Sequence, residues 1–532
     1  MTSITSSGNQ VTWVSRMAFV AGLVLGTTLA APGLPGSPVA GQEEPQVIEL
    51  TMENMVDLTM ATSFRVRRLN YDVERDQLNL KAQRARLRSS ADLELAIPSF
   101  RLTSEPRWNS TLQKDEIIQE HTRRWEGELS IRQPVILFGW PTNGYLSLNN
   151  RMYQYTQFED DGTQETDFYN RYYISYSQPL FQPNRLKNSL EQAELSLEST
   201  QIDFNRDILN IVSGVSEVYH DLLEEQYSRT VRQDLVTDLE RALGMGQSLA
   251  LADSVRAVEV NQIQVELANA RARLQSQESS IRLEFAEVKQ ELGLNDTDSV
   301  AFNPVFQLDP VPVDMDDAVR YALELTPTMR QFDIGLRNQE IRLEETKNRG
   351  AFRLDLNMSY GRERLDEYFG HLWQDPDNSY TVNVTAYLPI WDGGERKARI
   401  ASSEIGIEQT LLFLEETQIR IVSGVQNEVL NVRDRESRTM AMLDNLELAR
   451  DVSEANFQRY QDGRLTAQEL ILSLLREADT NENFLESYVS WKESLRRLQT
   501  QTYYNFERNQ PFLEVLREEG WIPENGLEGL RP

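Results

Sequence analysis

The side chains best suited to catalysis or metal binding are few and scattered along this chain. His121, His220 and His371 stand alone, with no second ligand at metal spacing, so they fit surface or loop roles better than a zinc or general-base site. Neighbouring carboxylates such as Glu224 with Glu225 and Glu344 with Glu345 fall on different helix azimuths and read as solvated faces. Asp375, Asp377 and Asn378 offer oxygen donors to a divalent cation in a surface loop, a signal of low specificity. The sequence contains no Gly-rich phosphate loop, no His-Glu-x-x-His helix and no nucleophile elbow. It therefore reads as a protein with no catalytic residue, no cofactor and no metal, whose charges act by their position. The acidic pair that recurs in register is Glu259 and Glu469.

That pair recurs because the chain repeats itself. Ile211-Val212-Ser213-Gly214-Val215 returns as Ile421-Val422-Ser423-Gly424-Val425, and the same offset of 210 joins Pro179 to Pro389, Lys187 to Lys397, Ala257 to Ala467 and Ala268 to Ala478. A repeat this long is a duplicated structural unit, not a solenoid module. The two units are residues 42–312 and 313–510, followed by a C-terminal tail over 511–532. With only 19 Pro and 26 Gly, and no long Pro/Gly/Ser tract after residue 45, two fused halves fit better than independent domains on a flexible linker.

Composition narrows the partners. The balance of 54 Lys+Arg against 83 Asp+Glu gives a net charge of −29, which repels phosphate backbones and argues against nucleic acid. Residues 1–41 read as an export signal: Arg16 precedes an apolar run over 17–31, and small residues at Val39, Ala40 and Gly41 suit cleavage near 40–42. Beyond that segment no run of 18 uncharged apolar residues offers a transmembrane helix. The absence of cysteine excludes disulfides, thiolate metal sites and a lipidated cysteine.

Each half reads as helix, strands, long helix and return helix. A helical pattern over 50–91, with Thr51 as N-cap, gives way to period-two alternation at Leu93, Leu95 and Ile97, and again at Trp125, Gly127, Leu129 and Ile131. Strands are expected within 92–180, including a Tyr-rich stretch from 134 to 178 that suits a membrane–water interface. Long helices then occupy 184–294, turning near 250–254, and a Pro-containing joint covers 295–312. The second half replays this order, with a helix from Asp314 to about 349, a hairpin over 352–389 and long helices over 395–506. Their apolar spacing is close to 3.5. Ile400, Ile407, Leu411, Leu414, Ile421 and Val425 fill six of eight a/d sites on the outgoing helix. Ala467, Leu470, Leu474, Phe484, Tyr488, Trp491, Leu495 and Leu498 fill eight of ten on the return helix. Two such helices cannot cover their stripes on each other alone, so further chains are expected.

The strand exits are the most specific local signal. Pro389-Ile390-Trp391-Asp392-Gly393-Gly394 ends a strand and starts a helix: the proline closes the ladder, the glycines permit positive φ, and Asp392 caps. Its first copy, Pro179-Leu180-Phe181-Gln182-Pro183-Asn184, keeps the proline and aromatic but lacks the glycine pair, and Gln133-Pro134-Val135-Ile136-Leu137-Phe138-Gly139 imitates it a third time.

With this exit, the duplicated order of elements and the return-helix pattern Tyr460, Gly463, Leu465, Thr466, Glu469, Leu470, Ala478, the chain from about 50 to 506 resembles the TolC family of outer-membrane efflux and secretion channels. The resemblance implies a mainly α fold with a β-barrel portion. In it a homotrimer builds a helical tunnel across the periplasm and shares a twelve-stranded transmembrane barrel, four strands from each chain. It further implies a passive conduit working with a periplasmic adaptor and an inner-membrane pump. It makes the turns near 250–254 and 460–466 the periplasmic tips, with Glu259, Glu469, Tyr460, Asp462, Gly463 and Arg464 as candidate tip or gate residues. Leu472 stands where a second acidic ring is common. The first hairpin region, about 88 residues against about 36 in the second, is oversized for this plan. The competing class is an exported coiled-coil scaffold or adhesion protein without a pore. Gly214 and Gly424, midway along the long helices, are the expected points of close helix approach.

Overall fold

The computed structural model describes residues 48–522, apart from 110, 112, 159–162, 253–256, 296–297 and 305. The expected export signal, the acidic break at 159–162, part of the turn at 250–254 and residues 523–532 of the tail lie outside the described residues. The described residues divide into two units, the first holding 48 with 298–299 and the second 49–295 with 300–522. In the first, the Ile48 N–H donates to the Ser299 carbonyl at 2.8 Å. All elements named below belong to the second.

The leading helix of each half is split in two, where periodicity anticipates one. In the first half α1 (Met52–Thr62) and α2 (Phe64–Ala85) meet at Ser63. Ser63 is extended and its Oγ accepts the Arg65 N–H at 3.2 Å, so one residue ends a helix and starts the next. Thr51 caps α1 by accepting the Asn54 N–H at 3.2 Å. In the second half Asp314 caps α5 (Met315–Glu324), accepting from Asp316 and Asp317 at 2.9 and 3.0 Å. Helix α6 (Thr328–Asn348) begins only after Pro327, which lacks an N–H and disfavours helical backbone at Thr326.

The long helices follow the expected pattern. Helix α3 (Arg185–Ala252) has 68 residues and α7 (Glu395–Gln461) has 67, each about 100 Å at the α-helical rise. Their return helices are α4 (Ala257–Glu291) and α8 (Ala467–Thr502). On α7 the buried residues Val425, Val432, Thr439, Leu446, Ser453 and Tyr460 advance in steps of seven, the spacing that keeps a seam facing its partner through left-handed supercoiling. All eight expected positions on α8 are buried. Higher on α7 the stripe is uncovered within one chain: Leu411 is 47% exposed, and Ile400, Ile407, Leu414 and Ile421 are half-buried.

Below the sheet the chain end folds back. After Tyr503, in the left-handed region at φ 54°, Tyr504–Asn505 pairs with Gln510–Pro511, and α9 (Phe512–Glu518) buries Phe512, Val515 and Leu516. Trp521 Nε1 donates to Asp57 at 2.6 Å, and Lys492 pairs with Glu507 at 3.0 Å. His220 on α3 lies near this cluster. Burial holds its pKa down at about 4, although its Nδ1 lies 2.6 Å from the Ser216 carbonyl, and the cations Arg496 and Lys492 push in the same direction. A folded pKa below the unfolded value of about 6.5 gives stability that is complete above pH 6.5 and is lost as pH falls towards 4, at most about 3 kcal/mol. His220→Gln is therefore expected to flatten the acid side of the thermal stability profile between pH 6.5 and 4, checked by melting in detergent across that range.

Six strands form one antiparallel meander in chain order: β1 (Ser90–Asn109), β2 (Lys114–Leu137), β3 (Trp140–Phe158), β4 (Gln164–Leu180), β5 (Arg353–Asp366) and β6 (Asp377–Tyr387). The oversized first region thus holds two hairpins, and among the described residues this sheet has six strands where the family resemblance implies four. The third imitation of the strand exit does not lead into a helix. Phe138 (φ 52°) and Gly139 (φ 84°) form a two-residue turn between the paired residues Leu137 and Trp140, which starts β3.

Candidate functional site: the sheet faces and the helical tip

Residues paired directly across an antiparallel sheet lie on the same face, so the register assigns every strand side chain to one of two surfaces. One surface is apolar. A row runs through Ala91, Ile131, Leu148, Ile174, Tyr360 and Tyr380. The neighbouring rows add Leu93 with Leu129, continuing through the more polar Asn150, Tyr172, Arg362 and Asn378, and Gln133 and Leu146 with Tyr176, Met358 and Val382. The apolar side chains here face outward uncovered, with Leu148 and Ile174 each 51% exposed and Tyr360 60%. The other surface is polar. Ser147, Ser175, Ser359 and Thr381 share a row, and Glu94, Glu128, Arg151, Arg171, Glu363 and Asp377 share another.

Much of the tyrosine expected at a membrane interface instead lies on this charged surface. Tyr153 and Tyr169 stack at 4.6 Å, Tyr169 donates to Glu363 at 2.6 Å, and Tyr173 donates to Glu128 at 3.2 Å. Arg151 pairs with Glu126, and Arg171 with Glu363 at 3.5 Å. An outward apolar rim does exist where strands meet helices: Phe138 is 99% exposed, Ile390 94% and Trp391 89%.

The strand exits set the angle of the long helices. At the second exit Pro389 and Trp391 precede Asp392, whose carboxylate accepts the Gly394 N–H at 2.9 Å and the Arg396 N–H at 3.1 Å. These bonds hold the Asp392 carboxyl below the usual carboxylate range. Gly393 and Gly394 adopt φ of 67° and 90°, so Gly394 is the N-cap residue and Asp392 caps from two positions upstream. At the first exit Pro179 is followed by Phe181 at φ 58°, which takes the turn without a glycine, and Asn184 Oδ1 caps α3 through the Lys187 N–H at 3.1 Å.

At their far ends all four long helices share one apolar cluster: Leu239 and Ala242 of α3, Ile263 and Leu267 of α4, Phe457 and Tyr460 of α7, and Leu470 and Leu474 of α8. Tyr460 is fully buried. Gly246, which pattern reading did not single out, makes room for it: a Cβ there would stand 2.9 Å from the Tyr460 hydroxyl and 3.3 Å from Ile263. Among the described residues a Cβ at Gly214 would meet nothing within 4 Å and one at Gly424 only Gln501 Oε1 at 3.9 Å, so within the chain Gly246 is a close-approach glycine and those two are not.

The α7–α8 turn is a complete Schellman motif. Gly463 (φ 71°) donates to the Tyr460 carbonyl and Arg464 to that of Arg459, both at 2.9 Å. Asp462 and Arg464 are exposed and 3.8 Å apart, too solvated for the pair to contribute much. Glu469 forms a capping box. Its carboxylate accepts the Thr466 N–H at 3.0 Å and hydroxyl at 2.7 Å, bonds that lower its pKa, and its N–H donates back to Thr466 Oγ1 at 3.3 Å. Glu259, its repeat partner, is half-buried in the first turn of α4.

Just above the cluster, Arg241 of α3 grips Glu454 of α7 with two bonds of 3.0 and 3.2 Å and lies 4.1 Å over the Phe457 ring. Asp238 faces Glu477 of α8 in the same layer, and burial, then Glu477, push its carboxyl up to about 6; Asp234 and Glu454 add to this and Arg241 opposes it. A raised carboxyl favours the protonated folded form, so this stabilisation is present at pH 4 and below and is lost as pH rises through 6. Asp238→Asn is expected to stabilise the protein by about 1–2 kcal/mol at pH 7.5, after allowance for solvent screening, and to change little at pH 4. Melting temperatures at the two pH values check this.

Among the described residues no group of His, Cys, Asp or Glu has metal-holding geometry, and no helix is long and apolar enough to cross a membrane. A sheet with one apolar and one charged surface is the pattern of strands in outer-membrane barrels, and here it runs on into the long helices. The solved structures agree on the fold. A CusC structure described for transmembrane channel formation aligns with a TM-score of 0.62 at 11% identity, covering 89% of this chain and 99% of its own. The Campylobacter jejuni CmeC outer membrane channel aligns at 0.61 and 12% identity, over 90% of this chain and 94% of its own. The open Neisseria gonorrhoeae MtrE outer membrane channel aligns at 0.59 and 12% identity, over 86% and 90%. No curated protein matches in sequence. The family described as "Outer membrane efflux protein" matches residues 322–501. That match covers about a third of the chain, and over most of its length the chain has the fold of these outer-membrane channels.

Proposed function

We propose that this chain assembles as a homotrimer and serves as the passive outer-membrane conduit of a tripartite efflux or type I secretion system. It meets outer-membrane lipid along the apolar sheet surface, and a periplasmic adaptor and an inner-membrane pump at the helical tip. The observation that carries the reading is the two-faced sheet, whose strands run through capped exits into helices that end in one packed four-helix tip. TolC-family channels trimerise, and the uncovered upper stripe of α7 supports the same for this chain.

Energy for export comes from the pump, while the tip residues Tyr460, Asp462, Gly463, Arg464, Glu259 and Glu469 control closure. Replacing Glu259 and Glu469 together by alanine shifts resting conductance or its cation preference, because charges ringing a narrow pore act at close range. Unchanged conductance would leave both as turn-forming residues.

The test of the function itself is fractionation and planar-bilayer recording. The full-length protein should enter the outer-membrane fraction and form discrete conducting channels. A protein soluble without detergent and silent in bilayers would instead be a coiled-coil scaffold or adhesion protein.

A further inference from the structure

The two strands beyond the family's four belong to the first hairpin, β1–β2, and three observations bear on what it does. Its exit resembles that of the second hairpin, β3–β4. Gln133-Pro134 near the end of β2 matches Gln178-Pro179 at the end of β4, and both glutamines make the same contacts. Each Nε2 donates to its own following proline carbonyl, at 2.8 and 3.0 Å, and to an upstream carbonyl, Leu87 at 3.5 Å or Thr142 at 2.7 Å. Each Oε1 accepts from an upstream hydroxyl, Ser89 or Thr142. Each strand then reaches a phenylalanine at positive φ, Phe138 at 52° and Phe181 at 58°.

The first hairpin also carries both surfaces of the sheet. Leu93, Leu95, Leu129 and Ile131 extend the apolar surface and are 64, 69, 41 and 38% exposed. Glu94 and Glu128 extend the charged row on the other side. A hairpin standing in water above a membrane has no reason to keep this alternation in register with its neighbours.

The free edges are complementary as well. In a six-stranded meander the outer strands β1 and β6 run antiparallel, each leaving one row of backbone groups unpaired. Setting β6 of one copy beside β1 of the next continues the antiparallel order without a break. Lipid requires those groups to be paired, and closure does so.

We propose that β1–β2 is a duplicated barrel hairpin, and that three copies of the six-stranded sheet close through β1–β6 pairing into an eighteen-stranded transmembrane barrel. This rests on the trimeric channel reading. Barrel diameter grows roughly linearly with strand number, so this pore is roughly 1.5 times as wide as a twelve-stranded one. The barrel then imposes less restriction on cargo, and the helical tip becomes the narrow point.

The natural chain has no cysteine, so single spin labels can be placed in the full-length protein reconstituted in phospholipid vesicles. Leu93→Cys and Ile131→Cys report on the copied hairpin, and Leu148→Cys and Tyr360→Cys on the other strands. All four labels are expected to collide more with oxygen than with a water-soluble nickel complex. Water exposure at Leu93 and Ile131 alone would put the hairpin outside the bilayer and overturn the proposal while keeping the channel. Water exposure at all four would overturn the channel reading and the proposal with it. Electron cryo-microscopy of the unmodified protein in lipid nanodiscs gives a second measurement: eighteen strands support the proposal and twelve sink it.

Discussion

Tyr460→Ala channels are expected to conduct at rest in planar bilayers, and cells carrying them to admit large hydrophilic solutes that the parent protein keeps out. The side chain is fully buried where all four long helices converge, with its hydroxyl against Gly246 of α3. Truncating a buried aromatic typically costs about 3–5 kcal/mol, more than any other single contact in this layer provides. The Arg241–Glu454 clasp is bidentate, but its side chains are 40 and 57% exposed, so its removal costs about 1 kcal/mol or less. Tyr460 lies at the end of α7 remote from the strand exit, so the loss is local: the α3–α4 pair comes away from the α7–α8 pair at the tip while the barrel stays assembled. Tyr460→Phe keeps the ring and should stay closed. Gly246→Val, which drives a side chain into the same space, should open the tip as Tyr460→Ala does. A variant that melts earlier yet shows the parent's resting conductance would make Tyr460 a core residue with no part in gating.

What could be read from the amino-acid string, and what could not, follows the range of the interactions. The long helices were legible because heptad spacing is local, and each of the eight a/d positions on α8 is buried. The strands near Leu93, Trp125, Leu354 and Tyr380 were legible through alternation for the same reason. The Tyr-rich stretch misled, because Tyr169 is held by Glu363 and Tyr173 by Glu128. Those partners lie in other strands, and only the register reveals that these tyrosines point to the charged side. The split leading helices had local signals in Ser63 and Pro327, which a smooth apolar period overrode. At the tip, the Gly463 turn and the Thr466–Glu469 capping box are short-range and visible in sequence. Gly246 is legible only once α3 and α7 are known to touch. The six-strand count lay in between, since the oversized first region and the imitated strand exit at 133–139 fitted either an extra hairpin or an extracellular excursion, and only the register decides.

The sheet surfaces predict the largest effect on assembly. Ile174→Arg should abolish the membrane-assembled form, whereas Ser359→Arg should leave assembly intact and weaken the preference for cations. Ile174 lies in the apolar row between Leu148 and Tyr360, 51% exposed, with none of the described residues covering it. An arginine on the lipid side of a barrel costs about 2–4 kcal/mol near the midplane, and a homotrimer carries that cost three times. Marginal stability of the order of 5–15 kcal/mol leaves little margin against such a sum. Ser359 pairs with Ser175 and Thr381 on the opposite surface, where water solvates a guanidinium and the next row but one already holds Arg151 and Arg171. There the added charge enters the field of the pore instead of the lipid. Outer-membrane fractionation and resistance of the assembled form to denaturing electrophoresis report the first effect, and reversal potentials in asymmetric salt report the second. If both arginines are tolerated equally, the apolar surface does not face lipid and the barrel assignment of all six strands falls together.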